Sequence, residues 1–238
     1  MQIRLFTIPN LLTLSNLLCG ALGAVAALFF DNLTWAFGLM AGSVVFDFFD
    51  GFVARWLGQS GRLGVELDSL ADDISFGFLP AAVLFVLFGR MPGSAWLPGW
   101  TGLLLFVYAA CAALRLAKFN IDDSQHSEFC GLPSPGAALF CASLGLLAEQ
   151  QGLLLPREAV LAVGLVAGLL MISPVRMFSF KFAGFGWRGN ELRYSFAGFS
   201  VVSLAALGGW AVPFIIVCYV AVSAVRWCFR RQSRNLPE

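Results

Sequence analysis

The chain has 238 residues, 59% of them hydrophobic and 12% charged, with a formal net charge of +1. Soluble domains carry about 25% charged residues, so this composition excludes a water-soluble globule and indicates an integral membrane protein. The balanced charge and the lack of a basic run exclude a nucleic-acid-binding tail.

Eight apolar stretches, each long enough or nearly long enough to cross a hydrocarbon core, follow one another along the chain. Backbone groups in lipid must be satisfied internally, and no β-barrel alternation is present. The expectation is therefore an all-α polytopic bundle of about eight transmembrane helices. The first stretch, Leu11 to Phe30, has the Arg4 flank and the small residues Ala24 to Ala27 of a leader, but its length and internal Asn16 favour a retained helix. Asn10, Thr13 and Asn16 recur every three residues at its entry, and polar side chains there usually face a bundle interior.

The second stretch, Leu33 to Val53, ends with Asp47 and Asp50, and the third, Ser69 to Phe88, begins beside Asp68 and Asp72. Spacings of three and four put each pair on one helical face. The segment Gly51 to Leu67, rich in glycine and basic residues, is expected to reverse the chain and bring the two pairs together at the membrane boundary. Four ionised carboxylates converging near lipid are costly without a cation. Oxygen ligands of this kind suit Mg²⁺ or Mn²⁺. Glu66 and Asp73 fall off the shared faces and read as ordinary caps or partners of Arg55 and Arg62.

The fourth stretch, Trp100 to Leu116, runs into "LRLAKFN", which carries Arg115, Lys118 and Asn120. The single histidine, His126, lies in a polar loop without ligand spacing, and no metal role is expected for it. The remaining stretches are Ala137 to Leu155, Ala159 to Ile172, Ser195 to Leu207 and Trp210 to Trp227; the sixth and seventh are short, and the last two also fit a re-entrant hairpin. The six cysteines show no regular spacing and read as reduced packing residues.

Basic residues accumulate on the cytoplasmic side. With both termini cytoplasmic, Arg4, Arg55, Arg62, Arg115, Lys118, Arg176, Lys181, Arg188, Arg193, Arg226, Arg230, Arg231 and Arg234 lie inside, and only Arg90 and Arg157 lie outside. The carboxylates then sit at the cytoplasmic face. Without repeats or composition breaks, residues 1–238 read as one domain, with core helices over about 11–175 and an extra helix pair over about 195–228.

The complete spacing is D-x-x-D-G-x-x-A-R, eight residues, then G-x-x-x-D-x-x-x-D, met by Asp47, Asp50, Gly51, Ala54, Arg55, Gly64, Asp68 and Asp72. This pattern resembles the signature of the CDP-alcohol phosphatidyltransferases. "IPNLLTLSNLLCG", "FCGLPSPGAA" and "MFSFK" resemble segments of the bacterial and archaeal membrane phosphatidylserine synthases within that family. The resemblance implies a site for two divalent ions held by Asp47, Asp50, Asp68 and Asp72, with Asp72 also the base that takes the acceptor's proton. It implies CDP-diacylglycerol bound along Gly51, Ala54, Arg55, Gly64, Thr13 and Asn16. It further implies L-serine as acceptor, with its carboxylate held by Arg115, Lys118, Asn120 or Lys181, in a bacterial or archaeal cytoplasmic membrane. Membrane lipid is a partner, a homodimer is admitted, and nucleic acid is not a partner.

Two other readings bear on the same residues. The acceptor could be a phosphorylated polyol, its phosphate met by Arg176, Lys181, Arg188 and Arg193. A divalent-cation carrier would instead place its carboxylates near the bilayer midplane on broken helices.

Overall fold

A computed structural model of the chain describes residues 5–59, 61–94, 96–122, 128–178, 186–187 and 190–234. Lys181, Arg188 and His126 lie outside the described residues. The first helix, α1 (Ile8–Leu28), starts where the Thr7 side chain accepts from the Asn10 amide and Pro9 occupies the first turn. Helix α2 (Leu33–Trp56) is capped by Asn32, whose side chain accepts from the Trp35 amide at 2.8 Å. The two pack along each other as a hairpin.

A continuous rod follows: α3 (Arg62–Asp72), one wide π-helical turn (Asp73–Phe78) and α4 (Leu79–Arg90). Pro80 explains the wide turn, because it has no N–H for the carbonyl of Phe76 and its ring would crowd that carbonyl in a regular α-helix. The rod is the centre of the bundle, with 67% of its apolar window buried against 17–39% for the other candidate spans. Phe76, Leu79, Leu84 and Leu87 are fully buried on it. Small residues allow close approach: a side chain at Gly20 of α1 would collide with Ser75 of the rod.

A 3₁₀ segment (Gly99–Phe106) leads into α5 (Val107–Ile121), followed by α6 (Ser134–Gln151) and α7 (Arg157–Ile172). Helix α6 packs on α2 and α4, and α7 on α5. Two short strands, β1 (Glu128–Cys130) and β2 (Arg176–Phe178), pair antiparallel with Phe129 opposite Met177. They join "FCGLPSPGAA" to "MFSFK", a contact the all-α expectation did not contain. Helices α8 (Glu191–Leu207) and α9 (Ala211–Arg234) fold back on each other at Gly208, whose φ of +53° suits glycine. Ring contacts between Phe196 and Tyr219 and between Phe199 and Phe214 show that they run antiparallel.

Each of the eight expected apolar stretches falls mainly within helix. Among the described residues, five helical stretches are long and apolar enough to cross a membrane: Ile8–Leu28, Leu33–Trp56, Arg62–Arg90, Gly99–Ile121 and Glu191–Phe229, the last being the α8–α9 pair. The expected reversal between Gly51 and Leu67 is shorter than anticipated, since α2 continues to Trp56 and α3 starts at Arg62. Polar turns that extend a helix beyond the hydrocarbon carry no apolar signal.

The two ends of the bundle differ in chemistry. At one end Arg90 pairs with Asp31 at 2.8 Å, and Arg157 donates to the carbonyls of Phe88 and Gly89 at the end of α4. Glu149 there accepts from the Thr34 amide at the start of α2. The carboxylate window lies at the opposite end, with the last three turns of α2 and the whole of α3.

Candidate active site

The entry of α1 is the floor of the site. Thr13 donates to Asp50 Oδ2 at 2.7 Å, joining α1 to α2. Asn16 donates from Nδ2 to Asp72 Oδ1 at 3.0 Å, while its main-chain carbonyl accepts from Ser43 at 3.1 Å and Ser75 at 3.0 Å. One residue of α1 therefore ties together α2, α3 and the wide turn. Asn10, Thr13 and Asn16 are all buried, as their three-residue recurrence predicts. Most of their polar groups are partnered, but Asn16 Oδ1 is buried with no hydrogen-bond partner among the described residues.

Asp47, Asp50 and Asp68 each bring a carboxylate oxygen within 4.8 Å of the others. Asp68 Oδ1 is buried and has no hydrogen-bond partner among the described residues. Three carboxylates this close repel one another, and an orphaned buried oxygen costs further. A hard divalent cation removes both penalties, so the residues present fit such an ion. Asp72 lies one turn beyond Asp68, buried, and is held by Asn16 rather than joining the three close oxygens. Asp73 belongs to the wide turn, with Oδ1 close to where a side chain at Gly77 would sit. Glu66 is exposed.

Beside the carboxylates lies a cavity of about 190 Å³. Thr13, Asp50, Gly51, Ala54, Arg55, Gly64 and Asp68 line it, together with Pro9, Asn10, Gln59, Gly61 and Val65. Five of the six residues expected along the nucleotide lipid meet there. The sixth, Asn16, sits deeper, against Asp72. A Cβ at Gly51 would lie in van der Waals contact with the Arg55 guanidinium, 3.4 Å away. Gln59 and Gly61 were not legible beforehand, because they lie in the eight-residue spacer, where no periodicity or fixed residue type marks them.

The expected acceptor residues separate. Arg115 is buried and donates to Ser134 Oγ at 2.7 Å, while its Nε has no partner among the described residues. Lys118 and Asn120 are exposed, and Asn120 donates to Ser69 Oγ at 2.7 Å beside Asp68. Ser134, which escaped the sequence reading, is fully buried at the start of α6. Its only sequence signal is its place in "GLPSPG".

A family model for the CDP-alcohol phosphatidyltransferases matches residues 6–172. The chain belongs to this family. The match runs from the start of α1 to the end of α7 and takes in every carboxylate above. Several curated relatives carry the name CDP-diacylglycerol–serine O-phosphatidyltransferase. The one from Mycobacterium tuberculosis is 37% identical over 153 residues, covering 61% of this chain and 50% of its own length. The Bacillus subtilis protein is 33% identical over 178 residues, covering 73% of this chain and 91% of its own length. The protein from Methanocaldococcus jannaschii is 32% identical over 173 residues, covering 73% and 74% respectively. The chain thus spans about half the length of the mycobacterial relatives it matches. Helices α8 and α9 lie outside the matched family region.

Proposed function

We propose that this protein transfers the phosphatidyl group of CDP-diacylglycerol to the hydroxyl of L-serine, giving phosphatidylserine and CMP. The observation that carries the reading is the convergence of Asp47, Asp50 and Asp68, one oxygen of Asp68 orphaned, with Asp50 and Asp68 lining a cavity walled by Gly51, Ala54 and Gly64. The names borne by relatives that align over most of their length support the donor and the acceptor.

Asp47, Asp50, Asp68 and Asp72 would hold two Mg²⁺ or Mn²⁺ ions, which neutralise pyrophosphate charge and stabilise the leaving CMP. The chain's own groups perform the rest. The low-bulk wall lets the cytidine diphosphate lie close to backbone, and Arg55 offers a planar fork to a phosphate. The serine oxygen attacks the phosphorus that carries the diacylglycerol; the new O–P bond forms as the bond to the CMP oxygen breaks. The hydroxyl proton passes to Asp72, which Asn16 holds by one oxygen, leaving the other to accept it. Arg115 receives the acceptor carboxylate through Nε, with Lys118 and Asn120 as further candidates at that end and Lys181, outside the described residues, as another. The site works at the cytoplasmic face of a bacterial or archaeal membrane, where serine enters from and CMP leaves to water.

The deciding measurement is CMP release from purified protein supplied with CDP-diacylglycerol and divalent metal. Release should require L-serine and stop on chelation. Release with glycerol 3-phosphate and none with serine would reassign the acceptor to a phosphorylated polyol.

A further inference from the structure

Helices α8 and α9 lie beyond the family match, yet a buried hydrogen bond ties them to the site end of the bundle. The hydroxyl of Tyr219 on α9 donates to the main-chain carbonyl of Phe178, the last residue of β2, at 2.7 Å. Its ring lies 4.7 Å from that of Phe178, and Phe196 of α8 closes the cluster at 5.5 Å from Phe178 and 6.0 Å from Tyr219. Phe178 pairs with Glu128 of β1. From β1 the chain continues through Gly131 and Leu132, whose amides donate to the carbonyls of Val175 and Leu170, and reaches Ser134. Ser134 accepts from Arg115. Arg115 also lies within electrostatic reach of both Tyr219 and Asp72. A chain of hydrogen bonds and strand pairing thus runs from α9 to the one buried guanidinium among the described residues that still has an N–H to give.

We infer that Tyr219 is a positioning residue for acceptor recognition: by fixing the end of β2 it holds the Arg115–Ser134 pair so that Nε remains available to an anionic group of the acceptor. The inference rests on the reading of Arg115 as the acceptor's anion site. It assigns the C-terminal helix pair a part in substrate selection rather than in membrane anchoring alone. The aromatic cluster supplies packing, while the hydroxyl supplies direction, since a hydrogen bond is lost with small changes of angle and packing is not.

Tyr219→Phe separates the two contributions. The ring contacts with Phe178 and Phe196 stay, while the hydroxyl that donates to the Phe178 carbonyl goes. The expected result is a rise of roughly tenfold in acceptor KM, the scale of one lost buried hydrogen bond, with kcat and the KM for CDP-diacylglycerol within about twofold of wild type. Ser134→Ala should raise the same KM, and the double variant should fall well short of the product of the two, because both act on one guanidinium. Metal-dependent binding of CDP-diacylglycerol reports that each variant is folded.

Kinetics are taken with whichever acceptor supports CMP release by wild type, L-serine first and glycerol 3-phosphate second. If only the phosphorylated acceptor works, the serine assignment falls while Tyr219 is still judged on that acceptor's KM. An unchanged acceptor KM in Tyr219→Phe overturns the inference. So does an equal rise in both KM values, or effects of Tyr219→Phe and Ser134→Ala that simply multiply. Wild-type protein releasing CMP with neither acceptor overturns both this inference and the proposed function.

Discussion

Asp68 and Asp72 stand one helical turn apart and differ in their surroundings: Asp68 carries an orphaned oxygen beside two other carboxylates, whereas Asp72 is held by Asn16. The difference separates their expected roles. Asp68→Asn keeps the shape but removes a charge, so activity should fall by roughly a hundredfold or more, the cost of losing an electrostatic stabiliser at a reacting centre. In metal-free buffer the same variant should melt no lower than wild type, because one repulsive charge has gone, and it should lose most of the rise in melting temperature that divalent metal gives wild type. Near-wild-type turnover would remove Asp68 from the metal site. Asp72→Asn should instead bind CDP-diacylglycerol with metal and lose about 10² to 10⁴ in turnover, the range for removal of a positioned base. Equilibrium binding and single-turnover CMP release distinguish these outcomes. The carboxylate pairs were legible in the sequence because a helix turns spacings of three and four into a shared face. Ser134 was not, because its importance arises from a partner 19 residues away in the chain.

At the scale of elements, the two short strands are the feature that apolar pattern alone could not reveal. Three-residue strands carry too few positions for alternation to register, and their pairing joins segments far apart in sequence. What locks the ribbon to the bundle is Gly131, with φ of +82°, where an added side chain would collide with the carbonyl of Met171 at the end of α7. Gly131→Ala is expected to be among the most damaging single changes outside the carboxylates. It combines a left-handed backbone costing about 1–2 kcal/mol with a clash against backbone that has no rotamer to yield. Thermal unfolding in detergent should show a clear loss of stability, whereas Gly38→Ala, with nothing within 4 Å of its would-be Cβ, should not. Equal stability of the two would mean that the ribbon is not fastened at this point.

For the molecule as a whole, hydrophobicity announced the helices well and their connections poorly, since lipid selects for apolar length while loops answer to local chemistry. The charge asymmetry has a physical counterpart in the bundle: Arg90 and Arg157 meet at one end, whereas Arg55, Arg62, Arg115 and Lys118 belong to the end bearing the carboxylates. The positive-inside rule then gives a definite expectation for orientation. In a background without native cysteines, Gly99→Cys should react with a membrane-impermeant thiol reagent in intact cells. Ile121→Cys, at the exposed end of α5, should react only after permeabilisation. The reverse pattern would put the active site on the outer face and sever it from cytoplasmic CDP-lipid.

The wide turn at Asp73–Phe78 has a consequence for the length of the chain rather than its composition. Each residue of an α-helix advances the side-chain direction by about 100°, and a turn that closes on the fifth residue instead of the fourth absorbs one residue out of phase. The polar face that carries Asp68 and Asp72 and the apolar face that carries Leu79, Leu84 and Leu87 are therefore clocked separately on one rod. Deleting a single residue here would leave both halves helical yet force a choice: either the carboxylates rotate away from Asp47 and Asp50, or the leucines rotate out of the core. The residue count of this joint therefore has to be kept whatever its side chains, which makes the spacing between the last carboxylate and Pro80 a dimension of the proposed site.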